Sequence, residues 1–122
     1  MGDTLSDAEE KLLRTTVKGL SRAIILWLLS RRKMCGYEII KEIYNLTDLK
    51  FTSGVIYPIL YELEEKGLIK GEWTSKGRRN IKYYSITKNG LNILENLRAF
   101  FSKPLRQIIE NFIFDEDERN LP

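Results

Sequence analysis

Apolar residues along this chain fall first on a helical period. Ile56, Ile59, Leu60 and Leu63 recur at i, i+3, i+4 and i+7, which predicts a helix from Thr52 or Ser53 to about Lys66 with that face on a core. A side-chain oxygen of Thr52 or Ser53 would cap its start, and Gly67 stands where a left-handed C-terminal cap is expected. Before it, Ile39, Ile40 and Ile43 predict a short helix over Tyr37–Tyr44, opened at Gly36 and closed by a polar turn at Asn45–Lys50. Leu20 to Ser30 is apolar almost all round, as a helix at the centre of a small core would be, and Arg31, Arg32 and Lys33 end it. Ahead of that, Ala8, Leu12 and Leu13 give a narrow stripe to a polar helix over about Thr4–Thr16, capped by Ser6 or Asp7, that reads as an arm.

Beyond Gly67 the period changes. Leu68–Ser75 and Asn80–Thr87 are rich in β-branched and aromatic residues and predict a β-hairpin with Lys76-Gly77-Arg78-Arg79 at its tip. Thr87 then caps a last helix whose apolar residues are Leu91, Leu94, Leu97, Phe101, Leu105, Ile108 and Phe112. Their gaps of 3, 3, 4, 4, 3 and 4 are close to a heptad seam, too long for a core of this size to cover. The seam is expected to meet a second copy of the chain; folding back onto its own domain is the alternative. Pro104 interrupts it, so a kink or restart is expected there, with Ser102 as a new cap.

That order predicts a mainly α protein with a small β-hairpin, a winged helix-turn-helix with an extra N-terminal helix and a long C-terminal dimerisation helix. The divisions are an arm at 1–18, the DNA-binding domain at 19–87, the dimerisation helix at 88–114 and an acidic tail at 115–122. In a helix-turn-helix the second helix enters the major groove, N-terminal end nearest the bases. Here that end is Thr52-Ser53-Gly54, with Tyr57 and Tyr61 further along. Two readings stand for the tyrosines, packing against neighbouring helices or contact with DNA, the second favoured for Tyr57. The hairpin tip supplies Lys76, Arg78 and Arg79, with Lys82 on the same ribbon, as cations for a phosphate backbone or minor groove. An ordinary solvated tip is the plainer reading, but its place after a helix-turn-helix favours DNA.

Composition narrows the field. With 122 residues, 43% hydrophobic, the chain is expected to form one domain. It has no histidine, hence no Ser-His-Asp or Cys-His relay and no histidine metal ligand, and its single Cys35 makes neither an internal disulfide nor a zinc site. No cofactor or metal is expected, and a reducing cytoplasm is the default location. Cys35 reads as a small residue near a helix start, with a redox role as the alternative. The longest apolar run, Ala23 to Leu29, falls far short of the roughly 20 residues of a membrane span, so a soluble protein with no membrane partner is expected. Met1-Gly2 with Ser6 fits a loose myristoylation pattern, against the plainer reading of an ordinary initiator sequence. The formal net charge is only +3, but Lys66 to Lys88 holds seven cations against Glu72 alone, a local +6, while both ends are acidic. Such a field steers one face toward a polyanion.

Four stretches carry a family likeness: Cys35-Gly36-Tyr37-Glu38-Ile39, Ser53-Gly54-Val55-Ile56-Tyr57-Pro58-Ile59-Leu60, Leu63-Glu64-Glu65-Lys66-Gly67-Leu68-Ile69, and Lys82-Tyr83-Tyr84-Ser85-Ile86-Thr87 followed by Gly90. Together, over about residues 20 to 95, they resemble the PadR family of transcriptional regulators. The resemblance implies a homodimeric repressor on an inverted-repeat operator in double-stranded DNA. Thr52–Lys66 would enter the groove, Lys76–Arg79 would form the wing, and the last helix would make the dimer. Some members sense small aromatic effectors between subunits; the matching positions here are Trp27, Phe100 and Phe101, although an apolar helix makes Trp27 a core residue first. Two readings compete with a sequence-specific regulator: an architectural DNA-binding protein or a winged-helix interaction module, and, last, an enzyme, for which no nucleophile motif or phosphate-cradling loop is present.

Overall fold

The elements run α1 Asp3–Arg31, β1 Met34–Cys35, α2 Gly36–Thr47, α3 Ser53–Glu65, β2 Ile69–Lys76, β3 Arg79–Ile86 and α4 Lys88–Phe100, then a π-helical turn Phe101–Leu105 and α5 Arg106–Phe114. This computed structural model describes residues 3–115, with side chains from Ser6 onward. Met1-Gly2 and the acidic tail past Asp115 therefore lie outside the described residues.

The core is built where three helices cross. Ile25, Leu26, Leu28 and Leu29 of α1 meet Ile39 and Ile43 of α2 and the predicted face of α3, with Ile69, Tyr84 and Leu94 closing the sides. Pro58 lies inside α3 and offers no N–H to the carbonyl of Gly54, which costs about 3 kcal/mol in a helix interior. The four buried side chains Ile56, Ile59, Leu60 and Leu63 outweigh it at about 1.5–3 kcal/mol each. The helix ends in a Schellman motif: Gly67, at φ 74°, donates to Glu64 and Leu68 donates to Leu63.

The arm and the core helix are one. α1 runs unbroken through Gly19, so Ser6 and Asp7 sit within the helix and cap nothing. A single glycine costs only about 1 kcal/mol in a helix. Offsetting it, Arg14 pairs with Glu10 at 3.0 Å, donates to the Lys50 carbonyl at 3.0 Å and stacks over Phe51. Likewise α2 continues through the expected turn to Thr47 and stops at Asp48, which takes the left-handed conformation at φ 62°. Thr52 does occupy the N-cap position of α3, but its side chain makes no capping bond.

The sheet has three strands in the order β1-β3-β2, all antiparallel. β1 was not visible in the sequence; its two residues pair Met34 with Tyr84 and Cys35 with Tyr83 and anchor the hairpin base to the helices. The hairpin register sets Lys76 against Arg79, which leaves a two-residue loop, Gly77-Arg78, rather than a four-residue tip. Gly77 opens that loop at φ 62°, as a type II′ turn requires of its first residue. Thr87 caps α4 as predicted, accepting from the Gly90 N–H at 3.0 Å while its hydroxyl donates to the Gly67 carbonyl at 2.7 Å.

Pro104 does not restart the last helix. The backbone stays helical across a π turn, whose looser ladder accommodates a residue without an N–H, and Ser102 bonds back to the Ala99 carbonyl instead of capping. The turn also splits the apolar seam. Leu94 is buried in this chain's own core, and Leu97 packs against the same core. Ile108 and Phe112, past the turn, are 63% and 81% exposed.

Candidate nucleic-acid interface

Thr52, Ser53 and Gly54 at the start of α3 are all exposed. Because Thr52 makes no side-chain cap, its hydroxyl, that of Ser53 and the N–H groups of Ser53 and Gly54 face solvent at the positive end of the helix dipole, while the Val55 and Ile56 N–H groups donate to the Thr52 carbonyl at 3.1 Å. One turn on, Tyr57 is half-buried. A Cβ at Gly36 would overlap its hydroxyl, so the glycine that opens α2 is what lets the ring lie flat against that helix. Burial first, then Cys35 and Tyr61, raises the Tyr57 phenol pKa above its usual value. Tyr61 is exposed, its ring centroid 6.2 Å from that of Tyr57. Tyr57 thus combines the two readings left open by the sequence, part packing and part surface.

The hairpin projects beside this helix. Lys76, Gly77, Arg78 and Arg79 are exposed at its tip, and among the described residues no carboxylate lies within ion-pairing distance of the three cations. Lys82 differs. Its ammonium is half-buried, 3.1 Å from the Glu64 carboxylate and 5.2 Å from the centroid of Tyr84. Burial pushes the Tyr84 phenol up to about 12, with Glu64 adding to the shift.

Between α2, α3 and the hairpin lies an open groove of about 710 Å3. It gathers Tyr57, Tyr61, Arg79 and Lys82 from the expected set and adds Tyr37, Lys41 and Trp73, which the sequence reading did not single out. Trp73 is 69% exposed directly across the ladder from Lys82, and Lys41 lies 5.7 Å from the Tyr37 centroid. An aromatic ring on the wet face of a strand was the signal for Trp73; a tyrosine followed four residues later by a lysine was the signal for Tyr37 and Lys41.

A second cavity, about 290 Å3 and almost wholly apolar, lies between α1 and α4. It is lined by Ala23, Ile24, Trp27, Leu94, Leu97, Arg98 and Phe101. Trp27 and Phe101 are therefore brought together, whereas Phe100 is outside the lining and exposed. Among the remaining seam residues Leu91 is exposed and Leu105 half-buried. No described helix is long and apolar enough to cross a membrane.

A helix pair whose second member has an exposed, uncapped start, beside a two-stranded ribbon with cations at its tip, defines a winged helix-turn-helix protein. The Transcriptional regulator PadR-like family matches residues 25–96, and the chain belongs to it. That places it in a family of transcriptional regulators, which implies DNA binding. The chain is 42% identical over 82 residues to the transcriptional regulator YqjI of Escherichia coli, across 66% of this chain but only 38% of that longer protein. A PadR family regulator from Eggerthella lenta superposes with a TM-score of 0.73 at 25% identity, covering 93% of this chain and 96% of the other. A PadR-like regulator from Bacillus cereus does so with a TM-score of 0.73 at 26% identity, covering 84% and 99%.

Proposed function

We propose that this protein is a homodimeric, sequence-specific repressor that acts in the cytoplasm on an inverted-repeat operator. The observation that carries the reading is the uncapped start of α3 beside the unpaired tip cations. Ser53 and Thr52 reach base edges and phosphates at the major groove, and Tyr57 and Tyr61 extend the contact along the helix. Lys76, Arg78 and Arg79 neutralise the flanking backbone. The phosphodiester strand then passes through the aromatic groove, where Tyr37 and Lys41 add contacts from α2.

The exposed apolar ridge of α5, with Ile108, Ile109, Phe112 and Ile113, supports a second copy as partner, since four such side chains in one helix are costly to leave in water. The cavity at Trp27 and Phe101 has the size and lining for a small aromatic effector, held where α1 and α4 come together. Selection of bound duplexes from a random pool tests the whole reading. The expected product is a two-fold symmetric site with half-sites about one helical turn apart, roughly 10–10.5 bp or a multiple. Recovery of duplexes with no shared sequence would make the protein an architectural DNA binder instead.

A further inference from the structure

The hairpin is a lever on a short base. It leaves α3 after Lys66-Gly67-Leu68, is pinned near its root by two-residue pairing with β1, and then extends freely to Lys76. From Gly71 to Lys76 is about 17 Å at the usual strand rise, so a pivot of about 10° at Gly71 moves the tip by about 3 Å. Successive phosphates on one DNA strand stand about 3.4 Å apart along the helix axis. An error of that size puts the tip cations nearly one nucleotide out of register with the bases under α3.

One side chain of α3 touches both strands of the lever at the pivot. Glu64 accepts from the Gly71 N–H with Oε2 at 3.2 Å and from Lys82 Nζ with Oε1 at 3.1 Å. The ammonium is further confined by ring centroids at 5.2 Å for Tyr84 and 5.9 Å for both Tyr61 and Trp73. Gly71 makes the arrangement possible, because a Cβ there would overlap Lys82 Cε. Helix carboxylate, glycine on β2 and lysine on β3 form one bracket.

We infer that Glu64 and Lys82 are specificity-determining positioning residues: the pair holds the hairpin at a fixed pitch to α3, so that helix and wing read one register of DNA. Lys82 acts through Glu64, not by touching phosphate. The assignment rests on the DNA-binding reading above and sharpens it.

The test uses the full chain as wild type, Glu64→Gln, Lys82→Met and the double variant. For each, affinity is measured for the selected duplex and for random duplex across a range of salt, with exchange of the Gly71 amide followed by NMR. The expected result is that each single change lowers the selected-to-random ratio by about tenfold, comparable to one mismatched base pair, and that the double change lowers it no further. The Gly71 amide exchanges faster and the salt exponent stays put. Gly71→Ala, which crowds the bracket without removing a charge, lowers the ratio as well and serves if a charge variant fails to fold. A Lys82→Met exponent smaller by about 0.9 per subunit, with equal loss on both duplexes, would make Lys82 a phosphate contact and overturn the assignment. So would variants that melt earlier yet keep the wild-type ratio. A wild type without any preferred duplex would instead defeat the DNA-binding reading itself.

Discussion

Replacing Arg78 and Arg79 together with alanine removes two of the three tip cations that no described carboxylate neutralises, and leaves the Gly77 turn and the Glu64–Lys82 bracket intact. If each guanidinium displaces one condensed counterion from a phosphate, the exponent of affinity against salt falls by about 0.9 per cation, hence about 1.8 per subunit and 3.6 for a dimer with both wings engaged. Between 50 and 200 mM salt, therefore, the wild type should lose about twelvefold more affinity per subunit than the variant. The loss at low salt should be the same on selected and random duplexes, because backbone contacts carry no sequence information. Fluorescence anisotropy with labelled duplexes at five or six salt concentrations measures both quantities. An Arg78→Ala, Arg79→Ala exponent equal to that of the wild type would remove the wing from the interface.

Two further outcomes follow from other parts of the molecule. Ile108→Glu with Phe112→Glu alters side chains that this chain leaves in water, so sedimentation should give a folded monomer that has lost operator binding; a persisting dimer would place the interface elsewhere. Glu62 accepts from Arg22 at 2.8 and 2.7 Å and from Lys66 at 3.3 Å, and these partners, Arg22 foremost, hold its pKa at about 2 instead of the usual 4.5. A depressed folded-state pKa stabilises above the unfolded value and is lost as pH falls, so the wild type should weaken between about pH 4.5 and 2. Glu62→Gln should flatten that part of the profile in urea unfolding followed by circular dichroism, and an equally steep fall in the variant would contradict the pairing.

Much of this molecule was legible in its residue order because local rules acted alone there. The spacing of Ile56, Ile59, Leu60 and Leu63 has one helical solution, and a threonine three residues before Gly90 has one evident use. What stayed hidden depended on distant partners. Arg14 holds α1 together across the expected break by reaching Lys50 and Phe51, some 36 residues away. Two residues cannot display a strand period, so β1 exists only because Tyr83 and Tyr84 offer it an edge. The charge of Lys82 was plain but its engagement by Glu64 was not, since that contact depends on how the hairpin folds against α3. The heptad-like spacing from Leu91 to Phe112 said that the helix had an apolar side without saying whose surface met it; Leu94 is claimed by this chain's own core.

The π turn at Phe101–Leu105 makes the last helix tolerant of a change in length at that one place. Such a turn houses one residue more than an α turn, so loss of a single residue there, with return to a uniform α-helix, leaves α5 at nearly the same azimuth relative to α4. The same loss from a stretch that is already α-helical carries everything beyond it about 100° around the axis, Ile108 and Phe112 included. The orientation of the exposed apolar ridge is thereby buffered against a one-residue deletion at the π turn and exposed to it elsewhere in the helix.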